Sequence, residues 1–136
     1  MGAFSEKILG NDNSLDVYED YFELYNSGEN LEEISNVIYK KYITKSADII
    51  ENVEYLSALC KAKWETKALK VEEIQKLKDL VLDPELLKLL VSFGASDKYI
   101  SKRIKELNNF ISKISIPINE VWWKKQNKYL KHLRLF

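Results

Sequence analysis

Acid–base or nucleophilic chemistry in this chain would rest mainly on carboxylates, because the sequence has one histidine, His132, and one cysteine, Cys60. His132 stands between Lys131 and Arg134 near the C-terminus, where we expect it to be solvated. No carboxylate stands alone on a predicted apolar face, where burial would raise its pKa. The sequence therefore predicts that no side chain is tuned for general acid–base catalysis.

The usual sequence motifs of metal and phosphate sites do not occur in this chain. It has no His-Glu-x-x-His, no cysteine pair and no Gly-x-Ser-x-Gly. Its four glycines are too scattered to build a phosphate-binding loop. We therefore expect a protein that is not an enzyme and that holds neither a metal nor a cofactor.

Acidic residues at helical spacing give the best candidate for a binding surface. At about 100° per residue, four of them share one face of the first predicted helix: Asp16, Glu19, Asp20 and Glu23. Tyrosine and aliphatic side chains fill the opposite face. Ordered carboxylates can mimic a phosphate backbone and occupy the basic cleft of a nucleic-acid-processing protein. The alternative is that they form only the solvated face of an amphipathic helix.

Charge is distributed unevenly along the chain, although the net charge is zero. Residues 1–36 contain nine acids and one base, a net charge of −8. Residues 98–136 contain ten bases and two acids, a net charge of +8. Such asymmetry bears on partners and association rates rather than on the fold. Alternatively, the two segments pack side by side and compensate each other.

The basic C-terminal region offers a second candidate surface. Its aromatic and basic residues alternate as they do on nucleic-acid-binding surfaces: Trp122, Trp123, Lys124, Lys125, Lys128, Tyr129, Lys131 and Arg134. The isoelectric point near 6.6 favours instead a helix that docks its aromatic side chains into the core. Arg103 could bind an anion or a partner, but we favour a structural arginine that snorkels or pairs with an acid of the first helix.

Helices must position these residues, because four glycines and two prolines supply few turns. Amphipathic stretches predict six helices over about residues 14–27, 31–42, 47–65, 71–82, 84–93 and 97–114. We expect these helices to be capped by the following residues, apart from the fourth: Asn13 or Ser14, Asn30, Ser46, Asp83 and Ser96. The third helix should be the most buried, with Leu56 and Trp64 in the core.

The predicted fold is all-α, a compact single-domain bundle of about six to seven helices over residues 1–136. Residues 1–13 are expected to form an irregular N-terminal clasp, in which Asn11 or Asp12 satisfies the first helical amides. Residues 119–136 are expected to form a last helix, although Val-Trp-Trp also favours a strand. No apolar run approaches the roughly 18 residues that span a bilayer. Without a secretory signal, we expect a cytoplasmic protein without membrane contact.

The N-terminal sequence resembles the start of a small bacterial domain family of unknown function. Family members begin Gly-Ala-Trp, continue to an Asn-Asp pair and enter a helix. The matching segments here are Gly2-Ala3-Phe4, Ile8-Leu9-Gly10-Asn11-Asp12 and Leu15-Asp16, followed by Trp64, Lys102-Arg103 and Leu107. Phe4 stands where tryptophan is usual and Ser5 where glycine is usual. The resemblance supplies no catalytic residue, and it implies a solitary interaction protein such as an immunity protein.

Three functional hypotheses follow, of which the least favoured is an enzyme of a type that no motif reveals. The leading one is an immunity protein that blocks the active site of a cognate bacterial toxin. In it, a basic toxin domain such as a nuclease is bound by the acids of the first helix: Asp16, Glu19, Asp20 and Glu23. The alternative is a nucleic-acid-binding accessory protein that uses the basic C-terminal helices.

Overall fold

The computed structural model describes residues 7–117, and its regular structure within that range is entirely helical. The elements in chain order are α1 (Asp12–Asn26), α2 (Leu31–Lys41), a 3-10 turn (Ile43–Lys45), α3 (Ile49–Glu65), α4 (Val71–Leu82), α5 (Pro84–Ser92) and α6 (Asp97–Ile114). The predicted all-α bundle is confirmed. The tail predicted over 119–136 and the first six residues of the clasp lie outside the described residues.

Side-chain caps determine where most of these helices begin. The predicted caps are confirmed on α2, α5 and α6: Asn30, Asp83 and Ser96. Two other predicted caps are wrong. The cap of α1 is Asn11 rather than Asn13 or Ser14; Asn11 accepts a hydrogen bond from the Ser14 N–H at 2.8 Å, which confirms the prediction that Asn11 or Asp12 satisfies the first helical amides. The helix therefore begins two residues inside the predicted clasp. The cap of α3 is Asp48 rather than Ser46, because the Ser46 hydroxyl donates back to the Ile43 carbonyl.

The central helix of the bundle is α3, as its broad apolar circumference predicts. It packs against α1, α4, α5 and α6. Leu56 and Leu59 have no exposed surface, and Trp64 is 7% exposed. The prediction that Leu56 and Trp64 belong to the core is confirmed.

The inner face of α1 is fixed against α3 by both apolar and polar contacts. Tyr21 and Phe22 are buried. The Tyr21 hydroxyl shares a hydrogen bond of 2.7 Å with Thr66, and the Tyr18 hydroxyl donates to Glu65. Buried tyrosines usually find such partners for their hydroxyl groups. Because both apolar and polar contacts hold α1 against α3, the outer face of α1 keeps one orientation.

Cys60 lies inside the core between α3 and α4. It has no exposed surface, and its Sγ is 4.0 Å from the carbonyl oxygen of Glu73. Burial raises the pKa of the Cys60 thiol far above its usual value, and the Glu73 charge adds to this effect. The thiol is therefore kept in its protonated and unreactive form.

Candidate partner-binding surface

Three of the four predicted binding acids are exposed on the outer face of α1: Asp16, Glu19 and Glu23. Their carboxylates form no hydrogen bond or ion pair with any other residue that the structure describes. They project from a helix whose opposite face is anchored in the core. They therefore form an ordered negative surface that a cationic partner can reach.

The fourth acid, Asp20, does not belong to this exposed set. It is half-buried, and its Oδ2 accepts hydrogen bonds from the Lys41 Nζ at 2.7 Å and from the Tyr42 hydroxyl. Burial acts to raise the pKa of Asp20, but the hydrogen bonds from Lys41 and Tyr42 outweigh it and hold the pKa below its usual value. The prediction that Asp20 is exposed is wrong, because α2 ends beside it and supplies two donors.

A second group of acids from α3 lies close to α1. Asp48, Glu51 and Glu54 occupy the N-cap and the first two turns of α3. The pKa of Tyr55 is raised above its usual value, first by burial and then by the charges of Glu51, Glu54 and Asp16. These carboxylates thus act on one phenol from two helices. This proximity could not be predicted from the sequence, because α1 and the acids of α3 are separated by more than 20 residues.

A cleft of about 220 Å³ lies beside the acids of α3. Its polar lining comes from α1, the start of α3 and α6: Asn13, Asp48, Glu51, Glu54 and Arg103. Its apolar lining comes mainly from α5 and α6: Leu86, Leu90, Phe93, Tyr99 and Leu107. The cleft therefore combines an apolar wall with a largely acidic one.

Glu54 is the most deeply buried acid of this cleft, with 7% of its surface exposed. Its Oε1 accepts a hydrogen bond from Asn13 Nδ2 at 2.9 Å. Within the described part of the chain, Oε2 has no hydrogen-bond partner. Burial raises the pKa of Glu54, although Asn13 and the charge of Arg103 oppose the rise. The expectation that no carboxylate lies in apolar surroundings is therefore wrong, because the apolar residues of α5 and α6 are brought against Glu54 only by the fold.

Arg103 is a buried structural residue of the same cleft. It is 4% exposed, and its guanidinium donates a hydrogen bond of 3.1 Å to the Lys7 carbonyl, which joins α6 to the segment before α1. Burial lowers the pKa of Arg103, and the charges of Glu54 and Glu106 oppose this. Among residues 7–117, the acids whose charges act on Arg103 lie on α3 and α6, whereas one form of the prediction placed them on α1.

Two further glutamates in residues 7–117 are buried, and both are hydrogen-bonded through each oxygen: Glu65 and Glu73. Lys61 Nζ lies 2.8 Å from Glu65, and Lys63 Nζ lies 2.7 Å from Glu73. The second oxygen of each accepts another hydrogen bond. Sequence reasoning missed both pairs. Only the i, i+4 spacing of Lys61 and Glu65 could have indicated one of them.

The alternative basic surface falls only partly within the described residues. On α6, which belongs to the basic region 98–136, three lysines are exposed: Lys98, Lys102 and Lys105. Lys113 is also exposed, and its Nζ lies 5.3 Å from the centroid of the Trp64 ring. The aromatic tail and His132 lie outside the range that the structure describes.

Changing Glu54 to Gln should flatten the dependence of stability on pH. The pKa of folded Glu54 is raised above its ordinary value of 4.5, so above that pH the folded state binds more protons than the unfolded state. The contribution of Glu54 to stability is therefore fully present below pH 4.5 and is lost as the pH rises through the folded pKa. Urea unfolding at several pH values should show a smaller decline for Glu54→Gln than for the parent.

The matched control for this change is Glu32→Gln on α2, an exposed residue. It removes the same charge without touching the cleft, so its pH profile should follow that of the parent. Parallel profiles for Glu54→Gln and the parent would contradict a raised pKa at Glu54.

Within residues 7–117, no group of three or more histidine, cysteine or acidic side chains is arranged to hold a metal ion. None of the helices described combines the length and hydropathy that crossing a bilayer requires. The resemblance of the N-terminal motif to a bacterial domain family stays a prediction. Comparison of the chain with models of protein families, with curated proteins and with solved structures found no match.

Proposed function

We propose that this protein is a non-enzymatic immunity protein of the cytoplasm, which neutralises a basic bacterial toxin domain, such as a nuclease, by covering its active site. One observation carries the proposal. Three carboxylates on α1 are exposed and without a partner among the described residues: Asp16, Glu19 and Glu23. The half-buried acids Asp48 and Glu51 at the start of α3 add further carboxylates.

The outer face of α1 holds its negative charges in a fixed arrangement. Complementary charge speeds the encounter of two proteins and excludes partners of the same sign. This complementarity contributes most to affinity when few side chains or loops must become ordered on binding. The buried residues Val17, Tyr21 and Phe22 anchor α1, so its outer carboxylates are positioned before the partner arrives.

The second candidate function is nucleic-acid binding through α6. The exposed lysines Lys98, Lys102 and Lys105 support it. The phosphate backbone would meet these side chains, and binding would weaken steeply as salt is raised. The two candidates thus use opposite charges on different helices, which makes them separable by mutation.

Reversing two acids of α1, Glu19→Lys with Glu23→Lys, should weaken binding to the basic toxin domain that the proposal names as the partner. We expect an association rate lower by about tenfold or more at low salt, because electrostatic steering is lost. The difference should shrink as salt is raised. Stability should change by only about 0.5 kcal/mol per substitution, since both side chains are exposed. Surface-immobilised binding kinetics and growth protection on co-expression are the measurements.

The matched control reverses two bases of α6, Lys102→Glu with Lys105→Glu. This variant should protect against the toxin as the parent does. It should lose any binding of the parent to a labelled duplex DNA or single-stranded RNA. Full protection by the α1 variant together with failure of the α6 variant would reject the acidic face as the interface.

A further inference from the structure

Glu54 differs from the other buried glutamates in how its charge is compensated. Glu65 and Glu73 each have a lysine within 2.8 Å and a hydrogen bond to the other oxygen. Glu54 is as poorly exposed as Glu73, at 7%, but only its Oε1 is hydrogen-bonded to a described residue. A buried carboxylate without such compensation is costly to keep in a folded protein. Its second oxygen, Oε2, is the group that can take a donor in the cleft.

The cleft that Glu54 lines has the dimensions of a site for one side chain. Its volume of about 220 Å³ lies below the range of roughly 300–1,000 Å³ that is common for small-molecule pockets. Leu90 and Leu107 are buried in its wall, whereas Phe93 is 56% exposed. The apolar wall therefore continues outward to an exposed aromatic ring, as at the anchor pockets of protein interfaces.

The charges around the cleft favour a cation over an anion. Asp48 and Glu51 add two carboxylates to that of Glu54. Each of these two accepts a hydrogen bond from a backbone N–H near the start of α3 through one oxygen, and both line the cleft. Among the lining residues that the structure describes, Arg103 is the one basic residue, and its guanidinium donates a hydrogen bond to the Lys7 carbonyl. Three carboxylates thus face one guanidinium.

We propose that this cleft receives a lysine or arginine side chain of the protein partner, with its cationic tip on Glu54 Oε2 and its methylene stem against Leu90 and Phe93. Lysine and arginine have this division into an apolar stem and a charged tip. A charge-assisted hydrogen bond to a carboxylate is stronger than one between neutral groups. This inference rests on the proposed function, because it names the contact that anchors a basic partner beside the acidic face of α1.

The experiment titrates the full chain with n-butylguanidinium, which has the stem and tip of an arginine, and follows amide chemical shifts by NMR. We expect saturable shifts at the Asn13 side-chain amide, Phe93 and Leu107, with a dissociation constant on the order of 1 mM. The neutral isostere n-butylurea should bind at least about tenfold more weakly, because its tip carries no charge.

Glu54→Gln keeps the shape of the side chain and removes its charge, so it should weaken n-butylguanidinium binding by about tenfold or more. The charge-matched control, Glu32→Gln on α2, should bind as the parent does. A second variant, Phe93→Ser, shortens the apolar wall at an exposed position and should weaken binding several-fold while leaving the fold intact. If Glu54→Gln does not fold, the binding of n-butylguanidinium by Phe93→Ser tests the proposal instead.

Equal binding of the cation and the urea, equal binding by the parent and both cleft variants, or shifts confined to the outer face of α1 would each overturn the inference. The titration needs no toxin, so its failure leaves the proposed function standing. Conversely, the variant Glu19→Lys with Glu23→Lys should keep n-butylguanidinium binding. If that variant loses toxin binding but keeps n-butylguanidinium binding, the acidic face of α1 and the cleft act as separate binding sites.

Discussion

Replacing Lys63 with Met is expected to destabilise the protein by about 3–5 kcal/mol, because it leaves a buried carboxylate without its cation. Lys63 is 3% exposed, and its Nζ lies 2.7 Å from Oε2 of Glu73, which is itself 7% exposed. Tyr39 also donates to that oxygen, at 3.0 Å. Methionine keeps the volume and the apolar contacts of the lysine stem. Urea unfolding at neutral pH measures the loss.

Two comparisons isolate the charge effect at Lys63. Lys41→Met makes the same change in an exposed pair with Asp20, where the side chains are 58% and 30% exposed, and should cost about 1 kcal/mol or less. Adding Glu73→Gln to Lys63→Met removes both buried charges and should recover most of the stability. A loss at Lys63 no larger than that at Lys41 would show that the buried pair is not coupled as the geometry indicates.

Trp64→Ala is expected to cost about 3–5 kcal/mol as well, but for a different reason, the loss of buried volume. The ring is 7% exposed, and its Nε1 donates to the Ile116 carbonyl at 2.8 Å, which ties α3 to the end of α6. A domain of this size has a total stability of only about 5–15 kcal/mol. The variant should therefore melt at a much lower temperature, or fail to fold, in a thermal scan by circular dichroism.

Phe93→Ala is the matched control for Trp64→Ala, because it removes an exposed aromatic ring from the end of α5. We expect it to change the free energy of unfolding by about 0.5 kcal/mol or less. Trp64→Phe should fall between the two, since it keeps a ring but loses the hydrogen bond to Ile116. A fall in melting temperature of only a degree or two for Trp64→Ala would contradict its place in the core.

Features that depend on neighbours in sequence were predictable. Asp83 followed by Pro84 indicated the start of α5, and the structure begins α5 at that proline. Gly28 directly follows the predicted end of the first helix at residue 27, and it has the left-handed φ of +86° that glycine commonly adopts after a helix. The helical wheel likewise placed Glu19 and Glu23 on an exposed face, because that face is set by the periodicity of α1 alone.

Features that depend on contacts between distant segments were not predictable from the sequence. Asp20 lies near the edge of its helical face, and only the fold brings Lys41 to it. Glu54 looks like an ordinary polar position of α3 until α5 and α6 close over it. Lys63 and Glu73 are typical surface residues by type, and their burial requires the packing of α3 against α4. Residue type and periodicity do not specify these pairings.

Because Cys60 is enclosed in the core, the reactivity of its thiol reports local opening of the protein. Cys60 is the single cysteine of the chain, and it has no exposed surface. A thiol reagent can reach Cys60 only after α3 and α4 separate. Once the side chain is exposed to solvent, its thiol can ionise, and the reagent reacts with the thiolate. The rate of labelling in native buffer therefore measures how often this part of the bundle opens, without any introduced probe. The same enclosure prevents two folded copies from joining through a disulfide.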